Sequence, residues 1–533
     1  MKGLMGDQPL TVGTLFERLR TVHADGVVVD ALASGSVTTT YGELADRVLR
    51  LVTVLRDLGV QPGDRVATFA NNSSRHVELY YAVPLMGAIL HMVNIRLHGE
   101  QLEFVVADAD DSVLFVDDDL VPLLAAVADR MPSVRSFVRL GVGTSTGIAG
   151  LIEGEQLLLA AAPATDLPEL AEGDACGICH TSGTTGRPKA VVYSHRSTYL
   201  HAVAACMVDT LALSERERVL PVVPLFHACG WGLPYSAPFT GADLVLAGPD
   251  TSAANLARII ELEQVTWAAG VPTIWTSLLP LAQSGARDLT SLRTIGIGGS
   301  ATPRSLLAAY DALDITILQI WGMTETSPVA AASRPRRRHR GLDAEQLLDV
   351  RARTGTVFPG LEARIVGADG SSLPWDGVSI GELQCRGPWV ATDYLRSAPE
   401  AFDDGWLRTG DMAVMEADGY FRIVDRSKDL VKSGGEWISS VELEGQVQAH
   451  PAVREAAVVG VPSVKWDERP VVVASLHAGT QLDLAELRDF LVGRVATWWL
   501  PDRLVVVDEV ATTSVGKYDK KVLRAQLADL VLP

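Results

Sequence analysis

Cysteine is scarce in this sequence, and its spacing excludes the usual roles of paired thiols. Only five cysteines occur in 533 residues, so a disulfide framework is not expected. Cys176 and Cys179 form a C-x-x-C pair, but no second pair or nearby histidine pair completes a zinc site. We expect the pair to lie in a buried strand. We also expect a cytoplasmic protein, because the first ten residues lack the apolar run of a secretory signal.

Basic residues are in the minority. The chain has 46 Lys and Arg against 65 Asp and Glu, a formal charge of −19 and a pI near 5.0. Such a surface repels nucleic acid and anionic lipid, so neither is an expected partner. The one local exception is the basic run at residues 334–340. It is read either as a solvated loop or as an anion-attracting rim near a substrate entrance.

Uninterrupted apolar helices of membrane-spanning length are also missing. Residues 219–242 and 264–286 carry no charge, but the first stretch contains four prolines and the second contains two. A lipid-exposed helix does not tolerate this density of proline. We therefore expect buried strands, turns and short helices there, and no membrane span.

Strand-like and helical segments alternate over the first two-thirds of the chain. Thr40 and Glu43 form a capping box at the start of a helix. Residues 65–70 read as a buried strand, and residues 75–90 read as a helix that Pro84 kinks or breaks. This alternation predicts α/β layers around a mostly parallel sheet.

The pattern changes to short strands after about residue 355. Asp418-Gly419 is a strong hairpin signal, and the polar run 425–429 suits a hinge between two domains. We expect an N-terminal domain over 1–425, a hinge at 426–429 and a C-terminal domain over 430–533. The expected elements are strands at 362–366, 381–386, 412–416, 420–424, 456–461 and 471–476, and helices at 441–449 and 484–495.

A glycine- and hydroxyl-rich loop follows the apolar run 175–179. Its glycines permit tight turns close to a ligand, and its N–H groups, hydroxyls and basic side chains suit a polyphosphate. It is not a Walker A loop, because G-x-x-x-x-G-K-[ST] is absent; a plain surface turn is the alternative. We name residues 181–189 the phosphate loop. Its candidate nucleotide contacts are Thr181, Ser182, Gly183, Thr184, Thr185, Gly186 and Lys189.

Further motifs follow this loop in a fixed order. They are WGMTET (321–326), GEL (381–383), WLRTGD (406–411), VDRSKD (424–429), GGE (434–436) and SVGK (514–517). Over nearly its whole length the chain thereby resembles the superfamily of acyl- and aryl-CoA ligases, luciferases and peptide-synthetase adenylation domains. SGGEWIS (433–439) and WWLPD (498–502) are similar to its medium- and long-chain fatty acyl-CoA ligases.

The resemblance implies both a fold and a reaction. The fold is a large N-terminal domain of layered α/β subdomains with a distorted β-barrel, followed by a small mobile α+β C-terminal domain. The reaction has two steps. A fatty or aryl acid attacks the α-phosphate of ATP, giving acyl-adenylate and pyrophosphate, and a thiol then displaces AMP. ATP and Mg²⁺ are the implied cofactors, and CoA is the expected acceptor. The sequence leaves monomer and homodimer open.

The resemblance also assigns roles around the nucleotide. Lys517 would bridge the carboxylate and the α-phosphate, where two anions meet. Glu325 would hold Mg²⁺, with Thr324 donating to phosphate, and Trp321 would stack on adenine, where the family usually has Tyr. Asp411 would bind the ribose hydroxyls. Further implied cofactor contacts are Gly299, Ser300, Ala301, Gly322, Met323, Ile423, Arg426, Lys432, Gly434, Gly435 and Glu436.

Two further sets of residues follow from the resemblance. Lys428 matches the hinge position, where rotation would withdraw Lys517 and bring residues 434–436 to the site. The acyl pocket would be lined by His227 and Trp231, with Gly298 at its floor. The neighbouring tryptophans at 267 and 275 either shorten this pocket or belong to the core.

Departures from the family pattern leave the substrate open. His180 replaces the usual Tyr before Thr181, and Ala190 replaces a Gly. A second hypothesis is therefore an adenylating enzyme with a non-CoA acceptor, such as a carrier-protein ligase or a diazotase that adenylates nitrite and acts on an aryl amine. A third is a non-catalytic nucleotide-binding protein. The presence of Glu325, Asp411 and Lys517 argues against the third.

Overall fold

Helices and strands alternate along the chain in a computed structural model that describes residues 1, 3–181, 187–396, 401–433, 436–513, 517–528 and 530–532. The helices are α1 (Val12–Thr21), α2 (Tyr41–Asp57), α3 (Ser74–Leu85), α4 (Glu100–Ala109), α5 (Val121–Ala125), α6 (Gly154–Ala160), α7 (His195–Cys206), α8 (Leu233–Thr240), α9 (Ala253–Leu262), α10 (Pro272–Ser284), α11 (Arg304–Asp311), α12 (Ala344–Arg351), α13 (Ser440–Gln448), α14 (Leu484–Leu491) and α15 (Lys520–Gln526).

Within the described residues, the strands fall into four sheets. They are β1 (Val27–Leu32), β2 (Gly35–Thr40), β3 (Arg65–Phe69), β4 (Ile89–Met92), β5 (Val113–Asp117), β6 (Ser136–Leu140), β7 (Ile152–Glu153), β8 (Ala175–His180), β9 (Ala190–Ser194), β10 (Arg218–Pro221), β11 (Asp243–Leu246), β12 (Trp267–Gly270), β13 (Thr294–Ile297), β14 (Thr316–Gly322), β15 (Val329–Ala332), β16 (Thr356–Val357), β17 (Glu362–Val366), β18 (Ile380–Arg386), β19 (Phe402–Asp403), β20 (Trp406–Met415), β21 (Phe421–Arg426), β22 (Val431–Ser433), β23 (Glu436–Ile438), β24 (Val453–Ser463), β25 (Asp467–Leu476) and β26 (Arg503–Val506).

Two large sheets carry the first two-thirds of the chain. One has nine strands in the order β16-β15-β14-β13-β12-β10-β11-β1-β2, and the other has seven in the order β7-β6-β5-β3-β4-β8-β9. Their central pairs are parallel, as the strand–helix alternation predicted. The fold class expected from the sequence is confirmed.

Local signals set the limits of the first helices. Thr40 accepts from the backbone N–H of Glu43 and the Glu43 carboxylate accepts in return, which is the predicted capping box of α2. The helix predicted over residues 75–90 is too long. Pro84 lies in the last turn of α3, and Gly87 follows with φ of 78°. The chain therefore leaves the helix early and starts β4.

The part expected to be a distorted β-barrel is a five-stranded antiparallel sheet. β17, β18, β20 and β19 pair in that order, and β21 pairs with β20. The predicted turn Asp418-Gly419 joins β20 to β21, and Gly419 has a φ of 82°. The four strands predicted in this region are therefore confirmed.

The last hundred residues form a smaller α+β unit. Its sheet runs β23-β22-β25-β24, with β26 alongside β25, and α13, α14 and α15 accompany it. The helix predicted at 484–495 ends at Leu491, and β26 was not predicted. Two clusters of buried aliphatic side chains form its own core. The exact limits of the two domains stay a prediction.

The uncharged stretches fold as expected. Residues 219–242 contain the end of β10, a short turn and α8, and residues 264–286 contain β12 and α10. No helix in the described part of the chain is both long and apolar enough to cross a bilayer.

Candidate active site

A cleft of about 2570 Å³ lies where the two large sheets, the antiparallel sheet and the C-terminal unit meet. We name it the central cleft. Most of the site residues expected from the sequence line it, although they come from distant parts of the chain. These are Thr181, Lys189, His227, Trp231, Gly298, Gly299, Ser300, Ala301, Trp321, Gly322, Met323, Thr324, Glu325, Asp411, Ile423, Arg426, Lys428 and Lys517.

Some expected residues are not among these. Lys432 is exposed on β22, its backbone N–H donates to Glu468, and within the described residues it does not line the cleft. Glu436 begins β23. The remaining expected contacts lie outside the described residues: Ser182, Gly183, Thr184, Thr185, Gly186, Gly434 and Gly435.

One wall of the cleft carries a chain of three side chains. Trp321, at the end of β14, donates its indole N–H to Asp411 Oδ2 at 2.9 Å. Arg426 Nε lies 2.6 Å from the other carboxylate oxygen. Asp411 is buried, and the rings of Trp321 and Phe421 are perpendicular, with 5.7 Å between their centroids. The carboxylate is therefore fixed from both sides while still lining the cleft.

Lys517 reaches into the cleft from the C-terminal unit. A Cβ at Gly299 would lie 3.3 Å from Lys517 Cε and 3.9 Å from Nζ, so the lysine passes close over this glycine. Burial lowers the pKa of Lys517 to about 8, and the charge of Arg426 adds to this, while Asp411 and Glu325 act in the opposite direction. The ammonium of Lys517 is thus exposed to the charges of both the positive and the negative side chains of the site.

Glu325 lies in a short turn after β14. Its side chain is buried, and its Oε1 accepts a hydrogen bond of 2.6 Å from the hydroxyl of Tyr394. Lys189 places its ammonium 4.9 Å from the centre of the Tyr394 ring. Tyr193 donates to the carbonyl of Thr324 at 2.7 Å. Tyr394 and Tyr193 were not predicted, since no local motif marks them.

The other end of the cleft is apolar. The turn before α8 holds Cys229 and Trp231 in the left-handed region, with φ of 44° and 56°, a conformation that non-glycine residues adopt at a cost. The turn directs the Trp231 ring against Gly298, where a Cβ would lie 3.1 Å from Cη2. Burial, together with the charges of Lys517 and Arg96, lowers the pKa of His227 to about 3. His227 is therefore neutral.

The positions of two tryptophans and two cysteines answer two questions that the sequence left open. Trp267 and Trp275 are buried and, among the described residues, do not line the cleft, so they belong to the core. Cys176 and Cys179 are buried on β8 as expected. No group of three potential metal-binding side chains occurs within the described ranges.

The basic run 334–340 is mostly exposed, as expected for a solvated loop, and its contacts are with the protein surface rather than with the cleft. Arg334 donates to the carbonyls of Thr210 and Leu211. The guanidinium groups of Arg336 and Arg338 lie 5.5 and 5.7 Å from the centre of the Tyr420 ring. All seven residues are described, and none lines the cleft. Arg336 and Arg338 of this run contact the β20–β21 hairpin through Tyr420. The hypothesis of an anion-attracting rim at the substrate entrance finds no support here.

Comparison with known proteins decides the family. Residues 16–395 match the model of the AMP-binding enzyme family, and residues 442–517 match that of the AMP-binding enzyme C-terminal domain. This chain belongs to the AMP-binding enzyme family.

Curated relatives of this AMP-binding enzyme share about two-fifths of its residues. It is 42% identical to a 3-methylmercaptopropionyl-CoA ligase of Ruegeria lacuscaerulensis, over 99% of both chains. It is 40% identical to a medium-chain-fatty-acid–CoA ligase of Ectopseudomonas oleovorans, over 100% of this chain and 98% of the relative. It is 43% identical to a long-chain-fatty-acid–CoA ligase of Thermus thermophilus, over 98% and 96%. The chain is thus an AMP-forming acid–CoA ligase.

A solved structure supports the same assignment. An anthranilate CoA ligase in complex with anthranoyl-AMP superposes with a TM-score of 0.88 at 26% identity, over 98% of this chain and 99% of that one. The architecture of the AMP-binding enzyme is therefore shared over both its large sheets and its C-terminal unit.

Proposed function

We propose that this acid–CoA ligase forms its acyl-adenylate at the junction of Lys517, Glu325 and Asp411, and that its acid is compact, of short to medium chain length. The observation that carries the first part is the position of Lys517. Its ammonium lies beside Gly299 in a cleft that also contains the two carboxylates.

The first half-reaction joins two anions. A carboxylate oxygen of the acid attacks the α-phosphorus of ATP, a new O–P bond forms, and pyrophosphate leaves with the electron pair of the broken P–O bond. Lys517 would neutralise the oxygens of both reactants, and a fixed positive charge is most effective where water is excluded. In the second half-reaction the thiol of CoA attacks the acyl carbon, and AMP leaves.

Asp411 would accept hydrogen bonds from the two ribose hydroxyls. Each carboxylate oxygen offers two lone pairs, so the bonds from Trp321 and Arg426 leave room for one further donor at each oxygen. Trp321, buried beside this carboxylate, would give adenine a flat surface to stack on.

Glu325 fits the role of a magnesium ligand. It is a buried carboxylate in the cleft, and among the described residues Tyr394 holds only one of its two oxygens. Mg²⁺ commonly binds one or two carboxylates and completes its shell with water and phosphate oxygens. The ion would supply charge neutralisation at the phosphates. Thr324 and the phosphate loop would contact the same phosphates.

The shape of the apolar end supports a compact acid. The strained turn holds the Trp231 ring across Gly298, and both residues line the cleft. A bulky ring at this position limits the length of an acyl chain, and neutral His227 beside it adds no charge to an apolar pocket. A short aliphatic acid, including one with a thioether, would fill the remaining space.

Lys428 and its neighbours would form the hinge between residues 1–425 and 430–533. Lys428 is exposed between β21 and β22, and its backbone carbonyl accepts from Arg524 on α15. Rotation here would withdraw Lys517 after the first step and bring the segment at 434–436, with Lys432, to the cleft for the second.

The test is acid-dependent pyrophosphate release from ATP, with and without CoA. The panel contains straight-chain acids of graded length, 3-methylmercaptopropionate, benzoate, cinnamate, and nitrite with an aryl amine. We expect release with compact acids and a CoA thioester detected by mass. A preference for long chains would refute the compact acid, and release with nitrite alone would refute the carboxylate. Trp231→Ala should extend the accepted chain length, while Trp275→Ala, a core substitution, should not.

A further inference from the structure

Four buried or half-buried side chains form a continuous network next to the phosphate loop. His91 Nδ1 lies 2.7 Å from Asp111 Oδ2, and His91 Nε2 lies 2.9 Å from His180 Nδ1. His180 Nε2 lies 3.1 Å from Asp108 Oδ2. We name these four residues the histidine network. None of them has a role in the two half-reactions described above.

The network needs one more proton than its groups ordinarily carry. Each of the three contacts requires one proton between its two heavy atoms. Two neutral imidazoles supply two N–H groups, and two ionised carboxylates supply none. With two N–H groups, only two of the three contacts can form. The remaining one, such as that between His180 Nε2 and Asp108 Oδ2, forms only when the network holds an additional proton. Its charge is then −1, and it becomes −2 when that proton leaves.

The surroundings favour holding this proton. Asp111 is fully buried, and its Oδ1 has no hydrogen-bond partner among the described residues, so a full negative charge there is costly. Burial raises the pKa of both Asp111 and Asp108 and lowers the pKa of His180 to about 2. His180 is therefore neutral, and the raised pKa of the two carboxyl groups favours a shared proton within the network.

Charged groups outside the network do not replace the missing proton. Arg65 faces Asp111 but forms an ion pair with Asp110 at 2.5 Å. Arg396 faces Asp108 and donates to the backbone carbonyl of that residue at 2.9 Å, not to its carboxylate.

The network is joined directly to the phosphate loop. His180 ends β8, and Thr181 follows it as the first residue of the loop. The backbone N–H of Thr181 donates to the carbonyl of Lys189 at 2.9 Å, and Thr181 Oγ1 accepts from the N–H of Lys189 at 3.1 Å. His91 and His180 also line the central cleft. A change in their hydrogen bonds or charge therefore acts at the base of the loop.

We propose that the histidine network positions Thr181 and Lys189, the two ends of the phosphate loop, and that its shared proton is required for tight binding of ATP. This inference rests on the proposed function, because it takes residues 181–189 as the ATP site. Loss of the proton breaks one hydrogen bond behind Thr181 and adds a negative charge close to a polyanion. His91 and His180 are positioning residues, since they act through the loop.

Asp108→Asn provides the sharpest test. The amide N–H of asparagine donates to His180 Nε2, so the third contact forms without a shared proton, and one negative charge is removed. Asp110→Asn is the matched control. It removes the same charge two residues away, near Asp111, but Asp110 has no contact with either histidine, and asparagine suits its left-handed φ of 59°.

The measurement is the dissociation constant of a non-hydrolysable ATP analogue with Mg²⁺, obtained by calorimetry between about pH 7 and 9.5, where the terminal phosphate is already ionised. Every protein compared, including the one called wild type here, carries Lys517→Ala, because Lys517 would otherwise lose its own charge in this range. We expect wild type and Asp110→Asn to bind about three- to tenfold more weakly at the upper pH, a range that one hydrogen bond supplies. Asp108→Asn should bind tightly throughout.

His180→Tyr is an independent second variant. A phenol donates to His91 Nε2, and His91 then donates to an ionised Asp111, so the shortened network needs no additional proton. Its affinity should also be independent of pH. An equal decline in wild type and both of these variants would overturn the proposal, as would a wild-type affinity that does not change with pH. Absence of any nucleotide binding by the wild type would instead refute the proposed function.

Discussion

The indole N–H of Trp321 and the carboxylate of Asp411 are hydrogen bonded at 2.9 Å inside the central cleft. The family resemblance marks position 321 as usually Tyr, so tryptophan keeps an aromatic surface but loses a hydroxyl. The structure shows what the indole adds. Its N–H orients the buried carboxylate, while Arg426 holds the opposite oxygen. Trp321 therefore contributes to nucleotide binding through Asp411 as well as through its ring.

Trp321→Phe should weaken ATP binding while sparing acid binding. The substitution keeps an aromatic ring but removes the donor to Asp411. Hydrogen bonds to charged groups contribute roughly 1.5–3 kcal/mol, so we expect the KM for ATP to rise by about tenfold or more. Trp267→Phe is the control, since the indole N–H of Trp267 has no partner in the described part of the chain. Equal rises in the KM for ATP and for acid would contradict this role.

The charge of Lys517 should limit adenylation at alkaline pH. Its pKa is lowered to about 8, so the ammonium is present below that pH and is lost as the pH rises through it. The kcat/KM of acid-dependent pyrophosphate release, which reports the free enzyme, should therefore fall above about pH 8. Thioester formation from synthetic acyl-AMP should not follow this titration.

Substitution of the same lysine separates the two half-reactions. Lys517→Ala should abolish pyrophosphate release and leave thioester formation from acyl-AMP within about threefold of wild type, because only the first step brings two anions together. Lys465→Ala removes an exposed lysine of the C-terminal unit and should change neither step. If Lys517→Ala slowed both steps equally, the lysine would not be specific to adenylation.

The sequence predicted the parts of the site that are local. Residues 321–325, Asp411 and Lys517 each follow from a short motif, and all of them line one cleft. Trp321 lies at the end of β14, Asp411 lies within β20, and Lys517 precedes α15. The hydrogen bond from Tyr394 to Glu325 could not be predicted, since the two residues are 69 positions apart and neither sequence neighbourhood indicates the other. The contact depends on how two sheets pack.

The same distinction holds for the fold. The capping box at Thr40 and the turn at Asp418-Gly419 are decided by neighbouring residues and were confirmed. The helix expected to reach residue 90 ended at Leu85, because apolar residues that suit a buried helix also suit the buried strand β4. Likewise, the resemblance implied Lys432 as a cofactor contact, but Lys432 lies away from the cleft in this arrangement of the C-terminal unit, which a linear pattern cannot reveal.

Tyr394→Phe should raise the Mg²⁺ requirement. The hydroxyl of Tyr394 holds Glu325 Oε1 at 2.6 Å, and its loss frees the buried carboxylate to turn away from the ion. We expect about a tenfold increase in the Mg²⁺ concentration for half-maximal pyrophosphate release, as for other bonds to charged groups. Tyr310→Phe removes a buried hydroxyl that donates to the carbonyl of Trp275 in the core. It should lower stability only.

Contacts across the predicted hinge should stabilise the arrangement in which Lys517 occupies the cleft. Asp425 precedes the hinge, and its Oδ2 accepts from the backbone N–H and the hydroxyl of Ser440, at 2.6 and 2.5 Å. Lys520 donates to the same hydroxyl and pairs with Glu444 at 2.8 Å. All of these except Asp425 lie beyond the hinge, so rotation would break the bonds to Asp425 and keep the others.

Asp425→Asn should therefore slow adenylation and leave thioester formation from acyl-AMP unchanged or faster. Asparagine keeps the shape of the side chain, but a neutral oxygen accepts the two hydrogen bonds from Ser440 less strongly than a carboxylate does. We expect a loss of about 1 kcal/mol, which corresponds to a roughly fivefold slower first step. Glu444→Gln perturbs the same buried network on one side of the hinge only. It should lower the melting temperature and affect both steps equally. The two variants are compared by the ratio of the adenylation rate to the rate of thioester formation. If this ratio were the same in both, Asp425 would stabilise the fold without favouring one orientation of the C-terminal unit.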